Sequence, residues 1–130
     1  MGSVYIVDDR VTAITISTIN SLKIAELFDQ LGQPDEYWTK IGHGEDREYL
    51  EVMLFYPTKG YLANIIIDIE GGANQVEVQP KTPIFSVTYF APEMFQELLR
   101  TRILIDKPAS ARTGAFQPWS GFGTIYFERK

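Results

Sequence analysis

The chain has no cysteine among its 130 residues. This excludes a disulfide framework, a thiolate metal site and a cysteine nucleophile, and it leaves the cellular compartment open. Histidine is nearly missing as well, with His43 the single example. The net charge is −5, and the basic residues form no stripe. Binding along a phosphate backbone requires such a stripe, so nucleic acid is not an expected partner. No apolar run reaches the roughly 20 residues of a membrane-spanning helix. The longest candidates, such as 64–69, are strand-sized, and the chain does not open with the charged-then-apolar pattern of a signal peptide. Gly71-Gly72 follows a strand pattern, where phosphate loops also lie, but no Gly-Lys-Ser/Thr comes after it and no helix starts there. Ser86, Ser110 and Ser120 sit in no nucleophile elbow and have no paired base. The expectation is a chain without cofactor, metal or catalytic residues.

The residues that are present describe an ordinary globular chain. Hydrophobic residues make up 45% and charged residues 22%, enough to bury a core and too apolar for disorder. With no repeat, low-complexity tract or convincing linker, residues 1–130 read as one domain. Residues 3–7 and 11–17 are rich in Val, Ile, Thr and Tyr and flank Asp8-Asp9-Arg10, which predicts a hairpin. Alternation places Val11, Ala13 and Thr15 on one side and Thr12, Ile14 and Ile16 on the other. Both sides are partly apolar, so the hairpin is expected to pack on at least one of them.

A helix over 22–31 comes next. Ile24, Leu27, Phe28 and Leu31 recur at three-four spacing, Thr18 or Asn20 is placed to cap the start, and Gly32 with Pro34 ends it. Residues 37–41 predict a short strand, followed by the polar loop Gly42-His43-Gly44-Glu45-Asp46. Residues 47–56 carry the strongest strand signal. Tyr49, Glu51, Met53 and Phe55 lie on one face, with Leu50, Val52, Leu54 and Tyr56 on the other, which predicts a central strand covered on both sides. Beyond a turn at Lys59-Gly60, Tyr61, Ala63, Ile65, Ile67 and Ile69 form one apolar face, and Asn64 and Asp68 interrupt the other. Residues 76–78 suggest a brief edge strand and 84–90 a longer one. Pro92 opens a second helix with Met94, Phe95, Leu98 and Leu99 as its apolar side. Lys107–Pro118 reads as the least ordered stretch, and 123–128 as a last strand. The expected fold is α+β, an antiparallel sheet of about five to seven strands with two α-helices packed on it.

One ordered set of features goes further. Thr18-Ile19-Asn20-Ser21-Leu22 opens a helix and Leu31-Gly32-Gln33-Pro34-Asp35 closes it. An aromatic strand and a polar loop follow, and Leu54-Phe55-Tyr56-Pro57-Thr58-Lys59-Gly60-Tyr61 forms a hairpin tip. Over residues 18–69 this resembles the small outer-membrane lipoprotein A family and related bacterial exported proteins built as a helix followed by a meander. The resemblance implies an α+β domain of bacterial origin that acts in binding or envelope structure rather than catalysis, and it carries over no catalytic residue. It also implies an extracytoplasmic or envelope location, with an export signal or lipid-anchor cysteine encoded upstream. A cytosolic adaptor or inhibitor-like protein is the competing expectation, and a small metal-dependent enzyme centred on His43 and Glu51 is a third.

Among candidate sites, His43 lies between two glycines near Glu45, Asp46 and Glu48. One histidine with loop carboxylates and no fixed geometry reads as a solvated loop more readily than as a metal or acid–base site. Glu51 and Asp68 interrupt apolar strands. Each reads as an outward-facing carboxylate or as one paired with Lys or Arg on a neighbouring strand, rather than as a functional buried acid. The aromatic content is more informative. Most of these rings are expected in the core, but Trp38, Trp119 and Phe122 lie next to polar or glycine-rich segments and are the expected contact residues for an unknown protein partner.

Overall fold

The computed structural model describes residues 2–7, 10–18, 22–98 and 116–127. The turn at Asp8-Asp9, the cap candidate Asn20, Leu99 and Ser110 lie outside them, as does most of Lys107–Pro118.

The strands are β1 (Gly2–Val7), β2 (Arg10–Ser17), β3 (Glu36–Gly44), β4 (Arg47–Tyr56), β5 (Tyr61–Ile69), β6 (Gln75–Val78), β7 (Ser86–Phe90), β8 (Gln117–Pro118) and β9 (Gly123–Tyr126). The helices are α1 (Ile24–Leu31) and α2 (Phe95–Leu98). The main sheet has the order β1-β2-β7-β5-β4-β3-β8, six full strands and the two-residue β8, and every pairing in it is antiparallel. β6 and β9 form a separate antiparallel ribbon. The α+β architecture with an antiparallel sheet is therefore as expected. The second helix is shorter than expected. Pro92 opens a 3-10 turn, Pro92–Met94, and only the four residues of α2 follow it among those described.

β4 sits deep in the sheet and is buried on both sides, which gives the protein two cores. On the first face Leu50, Val52 and Leu54 are fully buried with Ile24, Leu27 and Phe28 of α1, Ala63 and Ile65 of β5, Val76 and Val78 of β6, and Ile125 of β9. On the second face Met53 and Phe55 pack with Trp38, Leu62, Phe90, Ala13 and Phe95. Each large side chain removed from water here contributes roughly 1.5–3 kcal/mol. The alternation in β4 and β5 thus matches the expected division of faces, with Asn64 and Asp68 on the second.

α1 is held at both ends by distant segments. Its first amides have no side-chain cap. Instead Ile24 N–H donates to the Thr82 carbonyl at 2.9 Å and Ala25 N–H to the Pro80 carbonyl at 3.0 Å. Glu26 Oε1 accepts the Lys23 N–H at 2.9 Å. The expected capping by Thr18 is thus replaced, and the Thr18 hydroxyl donates to the Ile84 carbonyl. At the other end Gly32 takes φ 81° and donates to the Phe28 carbonyl at 2.8 Å. The Tyr56 hydroxyl donates to the Gly32 carbonyl at 2.9 Å, and Lys59 Nζ donates to the Leu31 carbonyl. A lysine at a helix C-terminus also sits favourably in the helix dipole.

β3 runs through the segment expected to be a loop. Gly42, His43 and Gly44 all pair with β4, and only Glu45-Asp46 turn, with Asp46 at φ 59°. The β4–β5 connection is a 3-10 turn, Pro57–Lys59, closed by Gly60 in the left-handed region at φ 69°. A Cβ there would lie 2.2 Å from the Phe90 carbonyl oxygen, while Phe90 N–H donates to the Gly60 carbonyl at 3.0 Å. Gly60→Ala is therefore expected to destabilise the fold by at least ~1–2 kcal/mol, the cost of a left-handed alanine before the clash is counted, and urea unfolding measures it.

Candidate functional site

The three residues expected to form a contact surface do not share a side of the sheet. Trp38 pairs with Met53 on the second face and is 6% exposed, so it belongs to the core there and presents no contact surface in the fold. Trp119 and Phe122 lie over the first face. The chain leaves β8 at the edge of β3, crosses to α1, and sets the Trp119 ring edge-on to Phe28 and Tyr37, each at 5.8 Å. Trp119 Nε1 donates to Gln33 Oε1 at 2.6 Å. Phe122 stacks on Phe28 at 5.3 Å. Gly121 at φ 105° and Gly123 at φ 135° give the backbone the freedom this turn needs. Trp119 is half-buried and Phe122 remains exposed, but each uses a face of its ring to clasp the helix.

The polar candidates remain dispersed. His43 Nδ1 lies 3.6 Å from Glu48 Oε2, with the imidazole largely in solvent. Arg47 pairs with Asp68 at 3.4 Å, also at the surface. No group of three or more metal-ligating side chains occurs among the described residues. Glu51 faces Lys40 across the β3–β4 ladder. Burial raises its pKa above the ordinary 4.5, and the Lys40 charge opposes part of that rise. Tyr56 and Tyr61 are likewise pushed above the ordinary phenol range by burial. Asn64 Oδ1 is buried with no hydrogen-bond partner among the described residues. It faces Ser86 on one side and Met53 on the other, close to a Thr15–Thr88 hydroxyl pair at 2.8 Å.

The feature the expectations missed lies on the outer strands. Two rows of directly opposed residues cross the first face. One runs Tyr56, Tyr61, Tyr89, Ile14, Val4, through β4, β5, β7, β2 and β1. The other runs Leu54, Ala63, Val87, Ile16. Both rows are apolar or aromatic throughout, but their burial is not uniform. Leu54, Ala63, Val87, Tyr56 and Tyr61 are buried, whereas Tyr89 is 45%, Ile14 39%, Ile16 43% and Val4 55% exposed. Ile6 and Phe85 are exposed near them. α1 and the β6–β9 ribbon cover the first face as far as β7, and the apolar surface continues past the edge of that cover.

The alternation of Ile14 and Ile16 was the available signal for this surface. The hairpin does pack on its other side, where Ala13 is fully buried. No pattern along the strand says which neighbour fails to arrive. A stretch that no other described residue covers, continuous over three strands, is what an interaction site presents. No family model, curated protein or solved structure matches this chain.

Two outcomes check these placements. Trp38→Ala is expected to cost ~3–5 kcal/mol in urea unfolding, as removal of a buried tryptophan does, while Tyr126→Ala, at a 71% exposed position, stays within ~0.5 kcal/mol. Glu51 gives a pH signature. Between its unfolded and its raised folded pKa, the folded chain holds a proton that the unfolded chain has lost. Stability therefore falls as pH rises through that window and levels off above it. Glu51→Gln is expected to flatten this part of the profile and to match or exceed the parent at neutral pH, read by thermal melts from acid to neutral.

Proposed function

We propose that the chain is a non-catalytic interaction module that docks a protein partner on the uncovered part of its first sheet face. The observation that supports this reading is the pair of apolar rows that pass from burial to exposure, one at Tyr89 of β7 and the other at Ile16 of β2, with Val4, Ile14, Ile16 and Tyr89 open to solvent. A sheet face stabilises a fold by being covered with another layer. Where the described residues cover one half of such a face and leave the other apolar half exposed, a second molecule is a natural cover. The Trp119–Phe122 clasp contributes differently in this reading. It closes the existing cover over α1, on the β3 side of the sheet. An extracytoplasmic or envelope setting belongs to the same proposal and is supported by the likeness of residues 18–69 to the small outer-membrane lipoprotein A pattern.

The test is site-specific photo-crosslinking in the source cells. A photoreactive side chain at Ile16 is expected to give one discrete adduct, and the same group at the exposed Glu77 on the ribbon none. Equal labelling from both positions, or no adduct from Ile16, overturns the reading.

A further inference from the structure

We infer that the partner on this face is held by an extended segment of its own chain, which adds to the outer edge of β1 as one more strand of the sheet. The inference rests on the interaction reading above and names the form in which the partner is recognised.

The direction of the backbone groups on β1 is fixed by bonds elsewhere in the sheet. Thr18 N–H donates to the Phe85 carbonyl at 3.0 Å, so the backbone groups of Thr18 face the β7 side. Opposed residues of an antiparallel ladder alternate between exchanging hydrogen bonds and not. Counting back along β2, Ile16 and Ile14 also face β7, whereas Thr15 and Ala13 face β1. Phe90 gives the same count. Its N–H donates to the Gly60 carbonyl on the β5 side, so Tyr89 faces β2, opposite Ile14. Ser3 and Tyr5, the partners of Thr15 and Ala13, therefore face β2. Gly2 and Val4 send N–H and C=O outward, where no strand pairs with β1 among the described residues. Outward groups at every second residue match one kind of ligand, another extended backbone.

The two edges of the main sheet are unlike. At the far edge β8 already pairs with β3 at Glu36 and Tyr37, and β3 carries Glu36, Lys40 and two glycines. Short pairing partners and charge are the usual protection of an edge. β1 reads Gly-Ser-Val-Tyr-Ile-Val, without charge or proline, and its last four residues are all strand formers. The register shift between Tyr5 and Ile6 confines the regular edge to Gly2–Tyr5, room for a short segment. The described rings that flank residues 99–115, Phe95 and Phe116, both pack on Phe55 of β4. The described chain on either side of those residues is thus anchored on the second face, four strands from β1.

Area favours a segment over a face contact alone. Three strands about 4.8 Å apart and roughly 25 Å long give a footprint on the order of 350 Å². That is less than half of the roughly 800 Å² that each partner contributes to a standard stable interface. An added strand brings main-chain hydrogen bonds that a face contact lacks. It also continues the row that ends at Val4, so the residue opposite Val4 is apolar. The segment recognised is therefore short, free of proline and apolar at alternate positions.

The experiment is photo-crosslinking in the source cells from Ile6, an exposed residue of β1, in the parent chain and in Val4→Pro. Proline at this position removes an outward N–H and leaves the β2 ladder in place, since an edge strand tolerates proline where its N–H faces solvent. The parent is expected to give an adduct with the same protein that Ile16 captures. Val4→Pro is expected to give about tenfold less, the effect of one lost hydrogen bond. Val4→Thr, a strand former that keeps the N–H, is expected to crosslink as the parent does. Gly2→Pro removes the other outward N–H and takes the place of Val4→Pro if that variant lowers the melting temperature. An Ile6 adduct that persists undiminished in the proline variant overturns the inference, and so does an adduct between two copies of this chain. A discrete Ile16 adduct with none from Ile6 also removes the added strand and leaves the interaction reading standing. No adduct from either position removes both.

Discussion

Everything in this protein hangs on the two-sided burial of β4. Its odd and even side chains belong to different cores, Leu50, Val52 and Leu54 to one and Met53 and Phe55 to the other. Because successive side chains of a strand must point to opposite faces, one ten-residue segment determines the position of both layers. A shift of register by one residue would exchange the two sets, and Glu51 would move from beside Lys40 into the core beneath α1. The pairing with β3 and β5 is therefore strongly specified, and the hairpin tip at Gly60 holds it in place by its close approach to Phe90.

α1 completes the first core, and its attachment explains why so short a helix persists. An eight-residue helix is marginal alone. Here the orphan amides at its start meet the carbonyls of Pro80 and Thr82, and the carbonyls at its end meet Tyr56 and Lys59. Pro80, Thr82 and Lys59 lie in connections between strands, and Tyr56 is the last residue of β4. Helix and sheet thus share polar contacts as well as apolar ones, and the Trp119–Phe122 turn adds a third clasp from the far end of the chain.

The parts legible in the amino-acid order were those set by local periodicity. The alternation in β4 and β5, the Gly32 stop and the proline start of the second helical turn all follow from spacing and backbone chemistry, and the fold class follows from them. What was not legible depended on which distant segments meet. Thr18 was a reasonable cap until Pro80 and Thr82 took its place. The glycines around His43 suggested a loop, yet the β4 ladder extends through them. Trp38 differs from Tyr37 by one position, and only the pairing with Met53 tells which of the two rings faces the second core. The bare rows on β1, β2 and β7 were hidden for the same reason: exposure is a property of the neighbour that is missing, and no single strand encodes it.

The ribbon has a consequence for the order in which the molecule closes. Val76 and Val78 are deep in the first core, but their ladder is with Ile125 and Gly123, nearly fifty residues further along. Contacts so distant in sequence form late, because the intervening chain must first be brought together. On a ribosome, β4, β5 and α1 emerge and can assemble while β6 still has no strand to pair with. The first core is then a chamber whose lid is made last, and for that interval its valines are open to the solvent that the finished ribbon keeps out.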